Sequence, residues 1–146
     1  MLAVGLFGAE NPFFGKWKLN AEKSTFAPGE GMKELTMSFE PDGDKIRRVA
    51  KGTYVNGKPV EQGGPEGSDF AWDGNGHMVH EASPKIVIAC TPVKNGKTKV
   101  TVNIDGRLVA QMQAQVSEDG QTLTETSDNT DQQGRHSKSV LVFERQ

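Results

Sequence analysis

The 146-residue chain contains one cysteine, one tyrosine, two tryptophans and three histidines. A lone Cys90 cannot close an internal disulfide, so packing alone has to hold the fold. Amid apolar β-branched neighbours in "KIVIAC" it reads as a small buried hydrophobe, with no adjacent basic residue to activate its thiol. The net charge is −2 with both signs mixed along the chain, so the basic footprint that nucleic acid requires is missing. The one basic cluster, Lys45, Arg47, Arg48 and Lys51, lies in an alternating stretch and reads as the solvated face of a strand. Long hydrophobic runs are missing too. The apolar segment "MLAVGLFGA" falls well short of the roughly 20 residues a membrane span needs. No window carries a helical period beyond one turn at "AEKST", and there is no nucleophile elbow, phosphate loop or dinucleotide fingerprint. No cofactor is expected.

What the chain does have is punctuation. Asp42-Gly43, Asn56-Gly57, Asp73-Gly74, Asn75-Gly76, Asn95-Gly96, Asp105-Gly106, Asp119-Gly120 and Gln133-Gly134 are pairs suited to tight turns. Between them lie stretches of strand length, from "FFGKWKL" and "KELTMSFE" to "RLVAQMQAQV" and "SKSVLVFER", about ten in all. Successive hairpins pair each strand with its sequence neighbours and make an antiparallel meander. Curling that meander round removes its exposed edges. The expected fold is therefore all-β, an antiparallel up-and-down barrel of about 8–10 strands with little or no helix. Residues 11–146 form its single domain.

Alternation sorts the side chains by face. In "RLVAQMQAQV" the residues Leu108, Ala110, Met112, Ala114 and Val116 share one face, and Gln111, Gln113 and Gln115 the other. The glutamines prefer water, so the apolar face looks inward, where Ala110 and Ala114 are too small to fill a barrel. Leu35, Met37 and Phe39 make a second inward face, and Phe70 and Trp72 a third. Candidate ligand-lining residues are Met37, Phe39, Tyr54, Phe70, Trp72, Met78, His80, Met112 and Ala114. In "HMVHE" the spacing of His77 and His80 sends the two rings to opposite faces of a strand, which disfavours a metal site. An inward His80 would instead hydrogen-bond a ligand or act as an acid or base. His136 follows a turn and is expected in solvent. "GGPEG", Gly63–Gly67, would make a mobile flap at a barrel mouth.

The opening "NPFFGKWKLN" concentrates Phe13, Phe14 and Trp17 around a Gly-x-Trp triplet. It resembles the first strand of the calycin superfamily, the lipocalins and fatty-acid-binding proteins. "GKWKLNAEKSTFAPG" is more similar still to a group of small exported bacterial lipocalin-like proteins. The resemblance implies that Trp17 closes one barrel end and that Arg145, in "VLVFERQ", stacks on its indole. It also shows departures. "NAEKSTFAPGEGM" has no room for the two-helix lid of fatty-acid-binding proteins, and Leu141 and Phe143 stand at their carboxylate clamp.

Three functions follow as expectations. The first is binding of a small, partly apolar or amphipathic molecule inside the barrel, by a monomer or weak homodimer without nucleic acid or membrane span. The second is an isomerase, cyclase or hydratase on the same barrel, with His80, Tyr54 and Glu81 as its acid–base set. The third is an exported interaction module with a solid core. Residues 1–10 read either as a signal-peptide remnant, with Gly8 and Ala9 near the cut, or as an N-terminal extension. The first reading puts the protein in the periplasm or outside the cell, the second in the cytoplasm.

Overall fold

A computed structural model describes residues 11–60, 68–80 and 83–146, with the backbone alone at His80. The expectations on residues 1–10, on "GGPEG" and on Glu81 fall outside those residues. Ten strands follow one another: β1 (Gly15–Leu19), β2 (Met32–Asp42), β3 (Lys45–Tyr54), β4 (Ser68–Phe70), β5 (Gly76–His80), β6 (Ile86–Cys90), β7 (Lys97–Ile104), β8 (Arg107–Val116), β9 (Thr122–Thr130) and β10 (His136–Arg145). The only helical element among the described residues is a single 3-10 turn, Ala21–Lys23, capped by the Asn20 side chain on the Lys23 amide. No described helix is long and apolar enough to cross a membrane.

The turn pairs do what their residues permit. Asn95 and Gly96 sit at φ 54° and 73°, and Asp105 and Gly106 at 50° and 80°. Two consecutive positive φ values match the twist of the flanking strands, which is why Asn or Asp followed by Gly closes these hairpins. Every ladder is antiparallel, and the order across the sheet is β4-β3-β2-β1-β10-β9-β8-β7-β6-β5. First and last strands meet, with Trp17 opposite Arg145 and Leu19 opposite Phe143.

The barrel nevertheless stays open at one seam, unlike the fully closed meander expected from the sequence. Among the described residues β4 and β5 share no ladder. β4 spans only three residues, and the chain after it turns back on itself through the Asp73 side chain, which accepts from the Asn75 amide at 2.9 Å. The Gly74 amide then bonds the Cys90 carbonyl at 2.7 Å, committing this stretch to the end of β6 rather than to β4. The result is a nearly closed, ten-stranded antiparallel barrel.

One end of the barrel is solid. Phe13, Trp17, Leu35, Met37, Leu123 and Phe143 are fully buried. The Trp17 indole N–H donates to the Phe13 carbonyl at 2.9 Å, so its one polar atom is satisfied inside the core. Arg145 covers the ring, its guanidinium carbon 4.2 Å from the ring centroid. The guanidinium also donates to three backbone carbonyls: Gly120 at 2.6 Å, Pro12 at 2.7 Å and Phe14 at 2.8 Å. The Gly-x-Trp triplet now has a physical reason. Gly15 has φ 118°, and a Cβ there would lie 2.7 Å from Arg145 Nη1, so only glycine admits both the backbone angle and the cation.

Candidate functional site

Beyond the aromatic end the barrel is hollow, with a cavity of about 1070 Å³, just above the roughly 300–1,000 Å³ range of small-molecule sites. The reason lies in side-chain size. Ala50 on β3, and Ala110 and Ala114 on β8, all point inward and leave space that larger side chains would have filled. Gly52 on β3 is required by the backbone. A Cβ there would run into the Glu34 carbonyl oxygen at the bulge where β2 slips register against β3. The far wall is aliphatic, with Ile86 and Ile88 on β6 and Val100 and Val102 on β7. These residues are only half-buried although they face inward, because they border the cavity.

Aromatic rings close the inner end. Trp72 stands 5.5 Å from Phe13, 6.0 Å from Phe39 and 5.3 Å from Phe70, ring centroid to centroid. Such a cluster offers a broad, flat apolar surface held rigid by its edge and tilted contacts. Of the ligand-lining candidates, Phe39, Phe70, Trp72, Met112 and Ala114 border the cavity. Met37 does not: it points inward but is wholly covered, its sulfur accepting from Arg48 Nη2 at 3.1 Å. Tyr54, at the end of β3, packs half-buried against the core and is not part of the cavity wall. Met78 points outward and is 50% exposed. Met78 pairs in register with Val87, which also faces out, so regular alternation puts Val79 on the wall, and a register irregularity follows between Met78 and His80. His80 pairs through its backbone with Ile86. Leu108 is likewise displaced to the surface, 40% exposed, by the irregularity in the β7–β8 ladder.

Among the wall residues outside the sequence-based candidates, two carry opposite charge. Arg48 does not belong to a solvated basic face: it lies opposite Phe39 on the inner side of β3, while Arg47 points out and pairs with Asp42 at 3.2 Å and Asp69 at 3.3 Å. Parity held the clue, since Arg48 falls between Ile46 and Ala50. Glu125 on β9 lies between Ala114 and Leu141 across the sheet and also faces the cavity. Its signal was Leu123, two residues earlier and fully buried, which fixes the face. Burial pushes the Glu125 carboxyl above the usual carboxylate range, with the Arg48 charge offsetting part of the effect. Burial likewise pulls the Arg48 guanidinium down, opposed by Glu125 and then Cys90. Each therefore feels the other.

Below Glu125 the inner side of β9 continues as a polar strip. The Ser127 and Ser139 hydroxyls are 2.6 Å apart, and Asn129, on the wall, donates to Ser127 at 3.3 Å. Cys90 is buried on the opposite wall, and desolvation pushes its thiol up to about 12, so it behaves as a small apolar group. The other two histidines are tied to carboxylates at the surface, His77 to Asp73 at 2.9 Å and His136 to Asp128 at 3.0 Å. Among the described residues no three potential ligands gather into a metal-binding group.

No protein-family model matches the chain, and no curated protein sequence does. A solved structure does. Zebrafish ileal bile acid-binding protein, complexed with cholic acid, superposes with a TM-score of 0.55 at 17% sequence identity, over 93% of this chain and 100% of its own. Identity that low speaks to architecture alone. The chain thus shares the nearly closed, ten-stranded antiparallel barrel fold of this bile acid-binding protein.

Proposed function

We propose that the protein binds a small amphipathic molecule inside its barrel. The observation that carries this reading is the interior itself, a cavity of about 1070 Å³ with an aromatic floor and aliphatic walls. Apolar surface brought out of water there supplies roughly 25 cal/mol per Å², and the polar pair Glu125 and Asn129 on the wall orients one end of the guest. The bound cholic acid of the bile acid-binding protein supports the same class of occupant on the same architecture. An acid–base enzyme has less support, because Tyr54 is off the cavity wall.

Titration with Nile red, a neutral polarity-sensitive dye, tests the reading, with native mass spectrometry for stoichiometry. The expected result is saturable blue-shifted emission at one dye per chain, competed by decan-1-ol. Emission that never saturates, or that persists unchanged when Ala110 and Ala114 are both replaced by Phe in a folded variant, overturns it. The Phe pair occupies the space that the dye needs.

A further inference from the structure

Glu125 brings a carboxyl to the cavity wall, and the structure around it supplies no donor. Its partners across the sheet are Ala114 on β8 and Leu141 on β10, neither with a polar side chain. Ser127, two residues on, is engaged with Ser139 at 2.6 Å and takes the Asn129 amide at 3.3 Å. Among the described residues no hydrogen bond reaches the Glu125 carboxyl. What acts on it is burial, opposed by the charge of Arg48, whose guanidinium itself donates to the Met37 sulfur. The other titratable residues on the described wall are Cys90, which stays neutral, and Lys51, which is exposed.

An ionised carboxyl is an acceptor alone, with two oxygens to satisfy. A guest that fills the cavity meets those oxygens away from bulk water, where a bond left unmade to a charged acceptor is costly. Arg48 already counters the charge from a distance, so the carboxylate lacks donors rather than a cation. Its place on β9 sets the orientation of the guest. Glu125 lies close to Leu123, fully buried at the sealed end, and farther from the β9–β10 turn at Asp131. A head group at Glu125 is therefore the inner end of the guest, and its tail runs outward along the aliphatic wall of Ile86, Ile88, Val100 and Val102.

We propose that the barrel selects an amphiphile with an uncharged head bearing two adjacent O–H donors, a 1,2-diol, and that Glu125 is the residue that selects it, accepting both bonds. The inference rests on the cavity being the binding site. Two hydroxyls on neighbouring carbons face the two carboxylate oxygens side by side, and bonds to an ionised acceptor are roughly twice as strong as neutral ones. A guest of the same skeleton without donors leaves both oxygens bare. It binds best once a proton from solvent has neutralised the acid. The preference for the diol over such a guest thus grows as Glu125 ionises.

Displacement of Nile red by decane-1,2-diol and by 1,2-dimethoxydecane, its donor-free counterpart, reads this selection from about pH 4 to pH 9. Glu125→Leu, checked by circular dichroism, sets the baseline that the extra methyl groups create. At pH 9 the ratio of diol to diether affinity should exceed that baseline by at least about tenfold, and it should shrink toward the baseline in acid. Glu125→Gln, whose amide donates as well as accepts, should give a ratio that no longer changes with pH; this holds the proposal to account even if the leucine variant fails to fold. A ratio in the unaltered protein that is independent of pH, or a slope that survives Glu125→Gln, overturns the proposal. So does tighter binding of decane-1-sulfonate or decylammonium than of the diol at pH 7. Saturable Nile red binding that the diol does not displace overturns it while sparing the proposed function, whereas failure of Nile red to bind saturably refutes the function itself.

Discussion

Replacing Arg145 with Met should cost the barrel about 3 kcal/mol, and the sum can be followed atom by atom. The guanidinium makes three bonds to main-chain carbonyls, at Gly120, Pro12 and Phe14. A hydrogen bond from a charged donor contributes about 1.5–3 kcal/mol when well shielded. Arg145 is only half-buried, so water can replace part of each bond and roughly 0.5–1 kcal/mol apiece is the fairer value. The cation over Trp17, at 4.2 Å, adds about 0.5–2 kcal/mol. For a domain of this size each 1 kcal/mol moves the melting temperature by roughly 2–4 °C, which predicts a fall of about 6–12 °C. Arg145→Lys should recover a minor part, because an ammonium cannot span three carbonyls held in a fork. Gly15→Ala should damage the same contact from the other side, since its Cβ meets Arg145 Nη1. The double variant Gly15→Ala, Arg145→Met should therefore lose less than the sum of the two. Urea unfolding followed by circular dichroism measures all four proteins. A loss below about 1 kcal/mol for Arg145→Met, or strict additivity, refutes the claim that this latch holds the two ends of the sheet together.

Other consequences are open to measurement. With its thiol held at about 12, Cys90 in the folded protein should react with iodoacetamide at pH 8 roughly a thousandfold more slowly than a free cysteine; labelling at the free rate would mean an open wall. Trp72 borders the cavity while Trp17 is sealed. Energy transfer from tryptophan to bound Nile red should thus fall sharply in Trp72→Phe, and an unchanged signal would place the dye elsewhere. The folded-state titration of Glu125 is raised, so its ionised form costs stability above the unfolded value near pH 4.3 and fully so above the folded value. Glu125→Gln should stabilise the protein at pH 7 and not at about pH 4, and equal melting shifts at both would contradict this. Asp131 is held low chiefly by the Arg135 amide, so its contribution is present at neutral pH and fades as pH falls through its folded value. Asp131→Asn should accordingly loosen the β9–β10 turn at pH 7 in amide exchange, with the difference from the unaltered protein disappearing in acid.

Local signals were legible wherever one face of a strand is apolar and the other polar. β8 runs over the residues its alternating pattern marks, Arg107–Val116, and its inner face carries Ala110, Met112, Ala114 and Val116 as expected. The β1–β10 seam could be read because Trp17 and Arg145 sit in short stretches with a recognisable chemistry. Reading failed where parity was left open. Nothing in "HMVHE" fixes which parity faces in: Met78 lies opposite the outward Val87, so Val79 takes the wall, and the irregularity after Met78 then breaks the two-residue relation between Met78 and His80. Arg48 differs for another reason: it shares a charged stretch with Lys45, Arg47 and Lys51, yet its neighbours two positions away, Ile46 and Ala50, are apolar and put it on the inner face.

Turn pairs, alternating faces and a Gly-x-Trp opening were enough, by themselves, to determine an antiparallel all-β barrel with one aromatic end, because hairpin geometry and strand period depend on neighbours in the chain. Tertiary structure alone decided that β4 and β5 part company, that small inward side chains on β3 and β8 add up to an open interior, and that Arg48 and Glu125 look into it together. Those outcomes depend on distances between residues far apart in sequence. A cavity is a sum over walls, and no single strand carries it.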